Sequence, residues 1–197
     1  MRIRSLLAPA GLGAAALLAA LATAPSAVGG ASTILASGTS FSPANTSVGQ
    51  GTSVTWSFQG THTTTSDQGF WNSRSRSTGA TYTKGMPSAG RFPYHCTIHA
   101  GMNGSIAVPL KSSGSAASGW TLRWSASAAP AGRAFDVQFR RQGTTSWQSF
   151  RTNTTAATGL FNPARTGTYQ LRARTTNTAA SPDKESGWSA VISRQIS

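Results

Sequence analysis

One cysteine, three histidines and three methionines are the residues of this 197-residue chain with the means for metal or redox chemistry. Cys96, His99 and Met102 follow one another at intervals of three in the run Phe92-Pro93-Tyr94-His95-Cys96-Thr97-Ile98-His99-Ala100-Gly101-Met102-Asn103-Gly104. A thiolate, an imidazole and a thioether brought to one point form a soft donor set that favours copper. One more imidazole is needed, and His62 supplies it from an earlier strand. Two histidines and a cysteine in a plane, with a weak axial methionine, suit both Cu(I) and Cu(II). Neither oxidation state then forces large ligand movement, so an electron can enter and leave over a low barrier.

Other chemistries fit less well. A lone cysteine in an exported protein can be an inert thiol, half of an intermolecular disulfide, a nucleophile or a ligand. A Cys96 nucleophile paired with His99 lacks a third orienting residue and an oxyanion hole. Structural zinc takes further cysteines or histidines rather than a thioether. A single cysteine is too few for an iron–sulfur cluster. His95 neighbours Cys96 along a strand, so its side chain is expected on the opposite face and is assigned no metal.

The elements that would position these residues are strands. Val54, Trp56 and Phe58 alternate with Thr55 and Ser57; Phe92, Tyr94 and Cys96 alternate with Arg91, Pro93 and His95; Ile106 and Val108 alternate with Ser105 and Ala107. This period of two marks strands with one buried face, and no helical pattern interrupts it. Gly and Ser clusters such as Val48-Gly49-Gln50-Gly51 and Ser88-Ala89-Gly90 supply the turns. The spacing predicts a small antiparallel sandwich over residues 32–110, with Gly101 and Gly104 giving the loop after Cys96 its unusual backbone angles. Lys111-Ser112-Ser113-Gly114-Ser115-Ala116-Ala117-Ser118 has no apolar periodicity and reads as a flexible linker over 111–118. A second all-β unit is expected over 119–197. In it Leu122 and Trp124 flank Arg123, Phe135, Val137 and Phe139 alternate with polar residues, and Tyr169, Leu171 and Ala173 do the same.

Residues 1–31 read as a secretory signal peptide. Arg2 and Arg4 form a basic start, an Ala- and Leu-rich run follows, and small residues come after Ala24 without a basic stop-transfer cluster. The expected location is therefore extracytoplasmic, with no membrane span once the leader is cleaved. The chain carries 17 Lys and Arg against 4 Asp and Glu, a formal net charge of +13. Such a balance attracts anionic partners: acidic redox proteins or an anionic wall polymer. The arginines are scattered rather than clustered in runs, and export removes the chain from the genome, so no nucleic-acid role is expected.

The Phe41-Ser42-Pro43 start, the Val-x-Trp strand, His62 and the Tyr94-His95-Cys96-Thr97-Ile98-His99 turn together resemble the plastocyanin/azurin family of cupredoxins, over about Ile34 to Val108. The Cys-x-x-His-x-x-Met spacing is similar to the short ligand loop of its amicyanin branch. The resemblance implies a Greek-key sandwich and one copper ion held by His62, Cys96, His99 and Met102. It also implies His99 as the route for electrons, and redox proteins as partners. Met86 lies where relatives carry an apolar core residue, which implies packing rather than ligation. Thr63 stands where many relatives have Asn beside the first histidine, a change expected to act on tuning more than on binding. From Trp120 onward, Trp124, the Gly167–Arg174 strand and Ser186-Gly187-Trp188-Ser189 resemble a fibronectin type III module, implying cation–π stacking of Arg172 and Arg174 on Trp188. No chemistry is expected in that unit.

The function expected is therefore a secreted one-electron copper carrier, not an enzyme. The alternatives are copper storage or delivery without redox turnover, and a structural or adhesive extracellular protein. A multicopper oxidase or nitrite reductase needs more histidines than the three present.

Overall fold

The computed structural model describes residues 32–197; the segment expected as a signal peptide lies outside the described residues. Every named element is a strand. In the first sandwich one sheet runs in the order β2 (Ser40–Ser42), β1 (Ser32–Ser37), β4 (Thr52–Gln59), β6 (Thr81–Met86). The facing sheet runs β3 (Asn45–Ser47), β8 (Asn103–Val108), β7 (Gly90–His95), β5 (Thr65–Ser66). The sandwich is mixed rather than antiparallel throughout: β1 pairs with β4 and β3 with β8 in parallel. Period-two burial marks a strand but carries no strand direction, and each sheet is locked by strands far apart in the chain.

The alternation seen in the sequence is the alternation of burial. Val54, Trp56 and Phe58 of β4 and Phe92 and Tyr94 of β7 enter one core, and Cys96 follows on the same face. Each such side chain contributes about 1.5–3 kcal/mol by leaving water, which makes a one-residue slip of β7 prohibitive. That register delivers Cys96 inward. Tyr94 is central to this core, edge-on to Phe41 at 4.8 Å and to Trp56 at 5.4 Å.

The two glycines expected to shape the ligand loop do different jobs. Gly101 takes a left-handed φ of 77° at the loop's turn, a conformation that costs glycine little. Gly104 lies in β8 and is needed for space: a Cβ there would stand 2.4 Å from Tyr94 Oη and 2.9 Å from the Ala44 carbonyl oxygen.

The second sandwich pairs a sheet of β13 (Thr158–Phe161), β10 (Gly119–Arg123) and β9 (Lys111–Ser115) with a larger one. The larger runs β12 (Gln148–Thr154), β11 (Arg133–Arg141), β14 (Gly167–Asn177), β15 (Lys184–Glu185), with β16 (Ile192–Ile196) also paired to β14. Leu122, Trp124, Val137, Leu171 and Ala173 fill its core. Asp136, expected on the polar side of β11, is largely buried; it accepts from Arg174 Nε at 2.9 Å and from the Asn153 amide at 2.9 Å.

The flexible linker expected over 111–118 is replaced by structure. Lys111–Ser115 form β9, antiparallel to β10 with Lys111 opposite Arg123 and Ser115 opposite Gly119. An edge strand can be held by backbone hydrogen bonds alone, and the side chains of β9 stay mostly exposed, so it shows no apolar period. The sandwiches are consequently joined without slack. Gln50 Nε2 donates to the carbonyls of Pro109 at 2.9 Å and Arg123 at 2.7 Å. Thr175 Oγ1 donates to Ser88 Oγ at 2.7 Å, and Ala89, from the first half of the chain, packs in the second core.

Candidate metal centre

The end of β7 and the turn beyond β4 bring three donors together. The ligating atoms of His62, Cys96 and His99 all lie within 4.8 Å of one another. His62 Nδ1 and His99 Nδ1 face each other at 3.1 Å, and Cys96 Sγ is 3.6 Å from His99 Nδ1. Donors about 2.0–2.3 Å from one ion at angles of about 100–120° stand roughly 3.1–3.7 Å apart. The two separations from His99 Nδ1 fall in that range, and the third pair lies within 4.8 Å, compatible with one ion shared by the three.

The backbone fixes each donor. His62 is clamped by paired hydrogen bonds with Arg76: His62 N donates to Arg76 O at 3.0 Å and Arg76 N to His62 O at 2.8 Å. His62 Nε2 sits 2.9 Å from the Gln59 carbonyl. A carbonyl only accepts, so the ring proton is held on Nε2 and the Nδ1 lone pair is left for a metal. Cys96 N donates to Met102 O at 3.0 Å and Met102 N to His99 O at 3.3 Å, closing the loop on itself. Met102 is buried in the same core as Cys96. His99 is half-exposed, and the neighbouring Ile98 is exposed although apolar.

The sulfur is eased toward its thiolate. Burial alone would raise its pKa, but donors outweigh that: with the backbone amides of Thr63, Ile98 and His99 foremost, Cys96 is brought down to about 7. Thr63 N approaches Sγ at 3.3 Å. The Thr63 hydroxyl accepts the Thr97 amide at 2.8 Å and meets Thr97 Oγ1 at 3.1 Å. Thr63 therefore ties the His62 segment to the ligand loop through both its backbone and its side chain. The supports that sequence reasoning missed, the Gln59 and Met102 carbonyls and the Ile98 amide, are backbone groups without a residue-type signal.

Residues set aside as ligands lie elsewhere. His95 points away from the donors, its Nδ1 2.6 Å from Asp67 Oδ1 with both side chains about two-fifths exposed. Met86 is buried in the core. In the second sandwich the expected stack forms, with Arg172 and Arg174 guanidinium carbons 4.4 and 4.7 Å from the Trp188 ring centre. It extends further than expected: Arg172 also lies 4.0 Å from the Trp147 ring centre, and Arg140 covers Trp147 at 4.6 Å.

No family model matches the chain, and no curated protein matches it. Solved structures do. An oxidized amicyanin mutant is 20% identical over 39% of this chain and 79% of its own, with a TM-score of 0.37. A reduced Cu(I) form of another amicyanin mutant at pH 4 is 22% identical over 42% of this chain and 86% of its own, TM-score 0.38. A purple cupredoxin from Nitrosopumilus maritimus is 22% identical over 39% of this chain and 98% of its own, TM-score 0.36. The named elements of the described residues are all strands, and the chain is similar over part of its length to these cupredoxins. Its own soft donors, two imidazoles and a thiolate, suit a single copper ion.

Proposed function

We propose that this is an exported type 1 copper protein that carries single electrons. The observation that carries the reading is the convergence of His62 Nδ1, His99 Nδ1 and Cys96 Sγ at the buried end of β7. Bound there, copper would supply one-electron chemistry between Cu(I) and Cu(II). His62, Cys96 and His99 would hold it, with Met102 as a fourth, weaker donor. The protein's part is to keep the donors still in both states: Gln59 and Arg76 hold the first imidazole, and Thr63 holds the loop. The half-exposed His99 is the path to a partner, and exposed Ile98 beside it gives that partner an apolar footing.

The second unit reads as a fibronectin type III module, supported by its three- and five-stranded sheets and by the arginine–tryptophan stack. From Lys111 onward there are eleven basic residues against three acids, a charge that suits an acidic redox partner or an anionic wall polymer. Export rests on the pattern of residues 1–31.

The test is the spectrum of the full chain reconstituted with Cu(II). The proposal expects intense absorption in the visible red from thiolate-to-copper charge transfer, abolished in Cys96→Ser. A colourless protein that still binds Cu(I) would point to storage or delivery, and absence of copper binding would leave a structural role.

A further inference from the structure

The two sandwiches share a half-open cavity of about 430 Å³ at their junction, away from the metal centre. Phe70, Trp71, Met86 and Phe92 from the first sandwich and Phe135 from the second give it an apolar, largely aromatic side, while serines and Thr175 line other parts. Two cations reach it from opposite sides, Lys84 on the edge strand β6 and Arg133 at the start of β11. Among the described residues no carboxylate lines the cavity, and neither cation has an ion-pair partner.

The two cations are not equivalent. Arg133 is anchored: it donates to the Gly132 carbonyl and to Asn177 Oδ1, and its guanidinium covers the Phe70 ring at 5.0 Å. The Lys84 ammonium makes no hydrogen bond among the described residues, its backbone alone being paired with Val54. Burial and then the charge of Arg133 hold its pKa below the ordinary ammonium range. Two partly desolvated like charges that line one cavity without a counter-charge destabilise the junction, unless an anion is placed there. Dispersed surface lysines carry no such penalty, because water and salt screen them.

Size narrows what that anion is. The volume falls within the range of small-molecule sites, which are commonly concave, largely apolar and located between domains. A bare inorganic anion would satisfy the charges and leave the aromatic wall unused. We propose that the junction is a binding site for a small aromatic carboxylate. Its carboxylate bridges Lys84 and Arg133, and its ring lies against Trp71 and Phe92. This site is independent of the metal reading, since it needs no occupant at His62, Cys96 and His99.

The experiment is calorimetric titration of the full chain, without copper, with 2-naphthoate and with the uncharged 2-naphthalenemethanol. Naphthoate is expected to bind saturably at one site, at least about tenfold to a hundredfold more tightly than the alcohol, the range of a single hydrogen bond to a charged group. Lys84→Met should weaken naphthoate by about the same factor and leave the alcohol unchanged. Lys84→Arg should retain most of the affinity. Because the Lys84 side chain has no hydrogen bond to lose and Met keeps the backbone pairing with Val54, Lys84→Met should fold, which the unfolding temperature checks. Binding should also shift the indole N–H resonance of Trp71. Equal affinity for the two compounds, absence of saturable binding, or an unweakened Lys84→Met each overturns the proposal.

Discussion

Replacing Thr63 with Val tests whether one hydroxyl couples the two halves of the metal centre. Val keeps the shape and the backbone amide that approaches Cys96 Sγ at 3.3 Å, but removes the acceptor of the Thr97 amide at 2.8 Å and the contact with Thr97 Oγ1. Thr63 is 5% exposed, so the lost bond is not simply replaced by water on its own side. Thr97 is exposed and its amide regains some solvation, which places the cost at about 1–2 kcal/mol rather than at the full penalty of a buried unsatisfied donor. For a chain of this size that is a fall in Tm of roughly 2–8 °C. The larger effect falls on metal affinity, because Thr97 lies between Cys96 and His99: loss of such a supporting contact costs about tenfold to a hundredfold. The assays are thermal unfolding of the copper-free protein and Cu(I) competition with a chelator of known affinity. Thr63→Ser, which keeps the hydroxyl, should stay near wild type in both. If Thr63→Val held copper as tightly as the parent, or if Thr63→Ser fell as far, the hydroxyl would not be the coupling group.

Gly104→Ala places a methyl against Tyr94 Oη and the Ala44 backbone, and a cost of about 1–3 kcal/mol should appear as a lowered denaturant midpoint with an unchanged slope. Burial, partly offset by Trp56, raises Tyr94 to about 12 from its usual 10.0. The unfolded chain therefore loses this proton first, so stability falls by about 2–3 kcal/mol as pH rises from 10 to 12. Tyr94→Phe should flatten the alkaline limb of a pH–denaturation profile. Its cost near neutrality should be small, because Tyr94 Oη has no hydrogen-bond partner among the described residues. Asp67→Asn breaks only a half-exposed pair with His95; unfolding should shift by less than about 1 kcal/mol, and copper titration should be unchanged.

Much of the His62–Cys96–His99 cluster was legible in the sequence because two of its three members are local. Cys96 and His99 sit in one loop, and the period of two that buries Phe92 and Tyr94 also turns Cys96 inward and His95 outward. His62 required a strand to be placed first, and the alternation through Trp56 and Phe58 placed it. What stayed hidden is held by backbone or by distance. β9 read as a linker because its pairing with β10 uses main-chain groups that serine and glycine share with every residue. Trp147 and Arg140 joined the stack on Trp188 through strand neighbours far apart in the chain, and composition carries no register. The cavity at the junction belongs to neither sandwich alone, so no segment of sequence announces it.

Gln50 bears on how this molecule can be taken apart. Its side-chain amide holds one carbonyl on each side of the point where the first sandwich ends, and Ala89 is already committed to the second core. A cut after Leu110 would strip Gln50 of its Arg123 acceptor and uncover Ala89 and Leu110 together. The copper-type unit is therefore not an interchangeable cassette with an appendage. Grafting either half onto another protein would require rebuilding a surface that the native chain never shows to solvent.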